Sequence, residues 1–210
     1  MILSALLPRR LFHACHVELW GRDLDREPPA APSLPPGLAV ACVTDREPAG
    51  SPRRRGLAAA MAPTPEPEID ARLASGRRAY VVEGPPGILA YGWVTRGDEE
   101  IAEVEGRIRV GPSEAYIWDC ATLPAYRGRG LYPALLGAIA RDLAGSGVTR
   151  VWIAARADNA PSLRGLEKAG FERVADIRYV RLWRWRRLAV RRRTGQPPPS
   201  VLPLPLRAVA

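Results

Sequence analysis

Short apolar runs with β-forming residues alternate with stretches of helical period along this 210-residue chain. LAVACV (38–43) is apolar throughout and bounded by Gly37 and Asp45, the pattern of a buried strand. Residues 46–76 lack strand signals. Within PEIDARLASG, Ile69 and Leu73 recur four apart between Pro67 and Gly76, which predicts a short helix. AYVVEGPPGILAYGWV (79–94) is two β-rich runs about a Glu-Gly-Pro-Pro-Gly turn, hence a hairpin. A third run, 101–110, ends at Gly111-Pro112 and AYIWDCAT (115–122) follows, so consecutive antiparallel strands are expected. The period then changes. Leu131, Leu135, Ile139 and Leu143 recur every four residues with Tyr132 and Leu136 alongside, one apolar helical face closed by Gly145 and Gly147. TRVWIAAR (149–156) reads as a buried strand. Residues 161–169 read as a short helix with Leu163 and Leu166 inward and Arg164, Glu167 and Lys168 outward. Residues 171–183 alternate as one or two closing strands. The fold class that follows is α/β (α+β), a mixed, mostly antiparallel central sheet flanked by helices.

The ends look different. LFHACHVELW (11–20) holds β-formers, but five prolines between Pro28 and Pro36 read as a linker that continues neither helix nor strand. The division expected is therefore a strand-like segment with a proline-rich linker (1–36), a compact domain (37–183), and an arginine-rich then proline-rich tail (184–210). QPPPSVLPLPLRAVA (196–210) is expected to be extended or disordered. The apolar start ends at Pro8 and is followed by arginines, the wrong order for a secretory signal. Leu131–Ala140, the longest charge-free apolar stretch, is too short to cross a bilayer.

Composition narrows the class. With 47% apolar and 25% charged residues the chain is neither disordered nor fibrous. Cys15, Cys42 and Cys120 are odd in number and scattered, which argues against a disulfide framework and fits a reducing, cytoplasmic compartment. A net charge of +9 suggests nucleic acid until it is located: residues 181–210 carry eight arginines and no acid, which leaves the rest near neutral. His13-x-Cys15-His16 has metal-ligand types but lacks a fourth ligand and regular spacing, so no metal is expected. Trp93, Trp118 and Trp152 fall in strands and read as core. Trp183 and Trp185 sit instead in RLWRWRRLAVRRR (181–193), where arginine with interleaved aromatics could contact RNA or an anionic membrane surface, or simply end the last strand in solvent.

The chemistry concentrates in Thr122-Leu-Pro-Ala-Tyr-Arg-Gly-Arg-Gly-Leu-Tyr-Pro133, between a strand and an amphipathic helix. Backbone N–H groups at a helix start are unpaired, and the macrodipole places about half a positive charge there. Gly128 and Gly130 let those donors approach an anion, and Arg127 and Arg129 could add charge-assisted bonds. That describes a phosphate or pyrophosphate site; a plain glycine turn would use the same residues. No Gly-Lys-Ser/Thr ending is present, so the loop is not a P-loop. Pro133 stands where a dinucleotide fold wants its third glycine.

Pro124-Ala-Tyr-Arg127-Gly128-Arg129-Gly130-Leu131-Tyr132 resembles the signature loop of the GNAT superfamily of acyl-CoA-dependent N-acyltransferases. Asn159-Ala-Pro-Ser162-Leu-Arg-Gly-Leu-Glu167-Lys168-Ala-Gly170-Phe171 resembles its second motif at the expected separation. The likeness covers roughly 37–183 and is nearest the branch that includes ribosomal-protein N-terminal acetyltransferases. It implies acetyl-CoA as acyl donor, with the main chain of Gly128–Pro133 and the arginines 127 and 129 at the pyrophosphate. It further implies that the backbone of Cys120, Ala121 and Thr122 runs beside the pantetheine arm, and that Asn159 bonds that arm. Asn159 would equally serve as an N-cap. Three positions depart: Tyr132 replaces the final small residue of the loop, Leu166 a tyrosine that acts as general acid in many relatives, and Ala154 a glutamate base. Tyr132 is expected to turn its ring into the core beside Leu136.

Asp119, beside the cofactor strand, and Ser162, a turn past Asn159, are then the candidate proton-transfer groups, with Tyr126, Tyr132 and Tyr179 behind them. Asp119 could instead pair with an arginine. The function implied is transfer of an acetyl group to the primary amine of a small molecule or peptide by direct attack. Two alternatives stand beside it: an acyl-CoA-binding module with little catalysis, and a ribosome- or RNA-associated protein acting through its tail. Glu66, Glu68 and Asp70 could receive a cationic acceptor or be a solvated helix start.

Overall fold

The computed structural model describes residues 12–25, 32–183, 185–193 and 198–203. Eight strands form one sheet in the order β10-β9-β1-β8-β7-β4-β3-β2. These are β1 (Phe12–Asp23), β2 (Ala39–Val43), β3 (Arg78–Gly84), β4 (Gly87–Thr95), β7 (Glu114–Thr122), β8 (Arg150–Arg156), β9 (Glu172–Leu182) and β10 (Trp185–Arg192). Every pairing is antiparallel except β7 with β8, which is parallel. A second sheet of order β11-β6-β5 joins β5 (Glu99–Ile101), β6 (Gly106–Arg109) and β11 (Ser200–Pro203). The helices are α1 (Pro52–Ala60), α2 (Glu66–Ala74), α3 (Leu131–Gly145) and α4 (Ala160–Lys168).

The two-residue alternation of the strands divides the core. Ala115 and Ile117 of β7 pack with Leu131, Leu135 and Ile139 of α3, whereas Tyr116, between them in sequence, packs with Ile101, Ile108 and Val201 of the small sheet. Val81 and Trp93 meet Leu57, Ile69 and Leu73 of α1 and α2. One face therefore carries α3 and α4, and the other carries α1, α2 and the small sheet. Trp93 and Trp152 are fully buried, as their strand positions predict, whereas Trp118, also expected in the core, is only partly buried.

The hairpin, the long helix after Gly130, the short helix after Asn159 and the strand between them form as read from the sequence. Four expectations change. The segment before Gly37 is not an appendage: β1 lies inside the sheet, bonded to β8 on one side and β9 on the other. The prolines from Pro32 onward belong to the connection from this inner strand to β2 at the far edge, so they mark a crossing rather than a boundary. At the other end β10 extends the sheet past 183 and β11 pairs with β6, so the tail is partly structured. Finally, the 101–110 run does not join the hairpin. It breaks at a turn where Glu105 is left-handed (φ +44°) and builds the small sheet, leaving β7 to pair directly with β4. α1, which precedes the expected helix at 66–74, starts on a Ser51 cap whose hydroxyl accepts from the Arg54 N–H. Residues 1–11, 26–31, 184, 194–197 and 204–210, including the apolar start and most of the final proline run, lie outside the described residues.

Candidate active site

The only parallel pairing in the main sheet is short. β7 and β8 are bonded from Glu114/Arg150 to Ile117/Ile153; beyond that β7 stays with β4 while β8 follows β1. The two strands part at their carboxyl ends, where open α/β sheets place ligands. At the parting the β4–β7 register shifts, and Asp119 adopts a left-handed conformation (φ +43°). Such a bulge twists a strand and re-aims its side chains. Gly92 of β4 makes room for it: a Cβ there would sit 2.8 Å from the Cys120 sulfur.

Beyond Thr122 a single 3-10 turn, Pro124–Tyr126, leads to Gly128 (φ +76°) and Gly130 (φ +73°). Both glycines are left-handed, and the space where a Cβ would project is open. Gly130 is the N-cap of α3 and supplies no side chain, so the N–H groups of Leu131 and Tyr132 are left for an outside acceptor. Pro133 has no N–H, so the main-chain donors expected across Gly128–Pro133 stop at Tyr132. Arg127 donates from Nε to the Thr122 carbonyl at 3.1 Å, fastening the turn to β7. A cleft of about 740 Å³ opens over this turn. It brings together Cys120, Ala121, Thr122, Arg127, Gly128, Gly130, Leu131, Tyr132, Pro133 and Asn159. Arg129 is not among them: it donates to the Ala125 carbonyl at 3.2 Å and its guanidinium lies 5.2 Å from the Tyr126 ring centre. Arg164 and Lys168 also line the cleft, although their positions on α4 suggest only a solvated face. Their i, i+4 spacing one helix after the glycine turn is the sequence signal that could have placed two cations there.

Tyr132 packs against the core cluster that holds Leu136, as expected, and it also meets α4. Its ring wedges between α3 and α4 over Gly165, where a Cβ would lie 2.4 Å from the ring, and its hydroxyl is 3.4 Å from Ser162 Oγ. Burial, with the nearby Cys120, pushes the Tyr132 hydroxyl well above its ordinary pKa, so it stays protonated. Burial does the same to the Cys120 thiol, which disfavours a thiolate nucleophile. Asn159 caps α4, its Oδ1 accepting from the Ser162 N–H at 3.2 Å. Leu166 is fully buried.

A family model for GNAT acetyltransferases matches residues 53–171, more than half of the chain. The chain belongs to the GNAT family. No curated protein matches it. Among solved structures, a GCN5-related N-acetyltransferase from Sphaerobacter thermophilus is similar at 15% identity and a TM-score of 0.57, over 93% of this chain and 57% of that one. A GNAT-family acetyltransferase from Colwellia psychrerythraea gives 15% and 0.55, over 81% and 56%. A tandem GNAT protein of the clavulanic acid pathway gives 20% and 0.52, over 79% and 52%. These similarities concern the fold, and the chain spans just over half the length of each. The matched family is one of acetyltransferases.

The GNAT domain has a second cleft, of about 860 Å³, on the other face of β7. Trp118 and Asp119 line it, so two successive residues face this side before Cys120 opens onto the first cleft. Arg72 of α2 binds Asp119 and donates to Glu68 at 2.8 Å. Its guanidinium lies 4.8 Å from the Trp118 ring and 5.3 Å from that of Trp93. Asp119 is therefore held by an arginine, the alternative role raised for it above. Arg77 holds Glu99 with bonds of 2.6 and 3.0 Å, and Thr95 adds a third. Burial pushes Glu99 up, but those bonds outweigh it and leave its carboxyl below the ordinary range. Ala154 lines this cleft where some relatives carry the base. Asp70 turns away to Arg54, and Glu66 is exposed. Of the proton-transfer candidates, Ser162 lies in the first cleft and Asp119 in the second. Tyr179 is fully buried in the core beneath the small sheet, bonded to Glu105.

His13 and His16 do not converge. His13 Nε2 meets the Glu103 carbonyl and His16 Nε2 meets Asp176, each at 2.8 Å, from positions an odd number of residues apart on one strand. No helix among the described residues is long and apolar enough to cross a membrane.

Proposed function

We propose that this chain transfers the acetyl group of acetyl-CoA to a primary amine by direct attack, with the donor in the first cleft and the acceptor in the second. The observation that carries this is the uncapped start of α3 behind two left-handed glycines, opening onto the gap between β7 and β8. The N–H groups from Gly128 to Tyr132, with Arg127, would hold the diphosphate. Arg164 and Lys168 add positive charge on the same side. The exposed backbone of Cys120–Thr122, free of β8, would pair with the amide groups of the pantetheine arm, and the Asn159 side-chain N–H groups would add to them.

The amine must be neutral to attack. Juxtaposing it with a thioester supplies much of the rate by proximity alone. As the C–N bond forms and the C–S bond breaks, the nitrogen proton leaves toward Asp119, directly or through water, and the departing sulfur takes a proton. With Leu166 unable to give one, Tyr132 is the group placed to do so: its hydroxyl is protonated, lines the donor cleft and has Ser162 behind it. Six carboxylates against three arginines around the second cleft favour a cationic acceptor. The three cysteines are free thiols, consistent with work in the cytoplasm. The test is acetyl-CoA turnover against a panel of primary amines. Thiol release that depends on an amine supports transfer. Tight acetyl-CoA binding with no turnover on any amine overturns catalysis and leaves a binding module.

A further inference from the structure

β10 is the last strand of the main sheet, so one of its edges is unpaired among the described residues. Its alternation puts Trp185, Arg187, Ala189 and Arg191 on one face, all exposed. The register with β9 sets Leu182 opposite Trp185 and Arg178 opposite Ala189, which adds an exposed arginine between the other two. Along the strand the positions of Arg187, Arg178 and Arg191 thus recur in steps of about 6.6 Å. That is on the order of the phosphate repeat of an extended single strand. None of these three arginines, nor Arg186 or Arg192, has a carboxylate partner among the described residues. Neighbouring arginines do: Arg173 and Arg193 are bound to Asp176, and Arg181 to Glu105. Asp176, the acid opposite Arg191, is 2% exposed and held by those two arginines and His16, so it offers the surface no charge of its own.

At the entry to this face stand two indoles, Trp183 (72% exposed) and Trp185 (57% exposed), with Leu182 (49%) beside them. Charges alone would be an ordinary way to keep an edge strand from pairing with another chain. Two exposed tryptophans work against that purpose, because they add apolar surface where the charges would remove it. Stacking surfaces at one end of a row of unpaired cations instead match a backbone-tracking site for unpaired bases.

We propose that the β9–β10 face binds single-stranded RNA, the arginines taking phosphates and Trp183 and Trp185 stacking on bases. The site is separate from both clefts and does not depend on the acetyltransferase reading. The probe is a labelled oligouridylate of about twelve nucleotides, titrated with the full chain while anisotropy and tryptophan quenching are followed across salt. Binding should weaken with salt. The double variant Arg187→Gln/Arg191→Gln should lower affinity at least tenfold and reduce the slope of log affinity against log salt by about 1.4. Trp183→Ala/Trp185→Ala should lower affinity about tenfold, abolish the quenching and leave the salt slope unchanged. Circular dichroism and the thermal midpoint should be those of the parent in both, which shows that they fold. Three results would overturn the proposal: affinity unchanged by either double variant, equal preference for duplex RNA, or no RNA binding while the chain sediments with vesicles containing about one third phosphatidylserine.

Discussion

The two clefts on either side of β7 are built from different materials. The one over the glycine turn is made largely of main chain, its shape set by two left-handed glycines and an uncapped helix start. The one beneath α2 is made of charged side chains that hold one another, Arg72 with Asp119 and Glu68, Arg77 with Glu99. A backbone site asks only for a local conformation and is tolerant of side-chain chemistry around it. A side-chain site can be retuned one residue at a time, which suits the half of a transferase that must recognise an acceptor.

The largest test of this contrast is at the backbone. Gly130→Asp or Gly128→Asp places a carboxylate in the open space over the turn, at a φ that costs a non-glycine residue about 1–2 kcal/mol. CoA binding measured by calorimetry should disappear while circular dichroism remains native. Normal binding by both variants would remove the anion site. Arg129→Ala, in the same loop but bonded away from the cleft, should leave affinity unchanged.

Chemistry comes next. Tyr132→Phe should lower kcat by about a hundredfold with little change in KM for acetyl-CoA, the signature of a lost proton donor. If kcat holds, the thiolate leaves without help from this hydroxyl. Asp119→Asn should lower kcat about tenfold and flatten the pH dependence of the rate, less than a dedicated base would because Arg72 already shares that carboxylate. An unaltered pH profile would remove Asp119 from proton transfer.

These two halves were unequally legible in the sequence. The donor side could be read because its constraints are local: the glycines, the helix start and Asn159 fall within two contiguous motifs. The acceptor side could not, because Arg72 and Asp119 are 47 positions apart and meet only when α2 packs on the sheet. The same distance effect hid β1. Its own residues signal a strand, but its place depends on pairing with β8 and β9, more than a hundred positions later. The prolines after it looked like a boundary because proline reports local conformation, not what the chain crosses. The helical spacing places Tyr132 against the core, where it packs, but not over Gly165, which belongs to the next helix.

The acceptor side should also report itself in stability. Glu99 is 5% exposed and its folded carboxyl titrates below the unfolded value of about 4.3. Its contribution is therefore complete above that value and is lost as pH falls through the lower folded one. Asp176 behaves alike: burial pushes it up, but Arg173, Arg193 and His16 outweigh that and hold it far below the carboxylate range. Thermal midpoints should fall steeply on acidification. Glu99→Gln should cost about 1–3 kcal/mol at neutral pH and make that fall shallower without abolishing it. An acid limb identical to that of the parent would mean that Arg77 and Glu99 contribute nothing to holding the cleft.

The smallest effect separates two roles of one residue on the donor side. Asn159 Oδ1 accepts from the Ser162 N–H as the cap of α4, and under the proposed function its amide N–H groups would be left for the pantetheine arm. Asn159→Ala removes both functions and should lower stability by about 1 kcal/mol. It should also weaken CoA binding by about the same amount. Asn159→Ser restores a cap oxygen but not the amide donor, so stability should recover while affinity stays about fivefold low. If affinity recovers together with stability, the side chain is a cap alone, and the donor cleft holds the pantetheine arm with β7 backbone and nothing from α4.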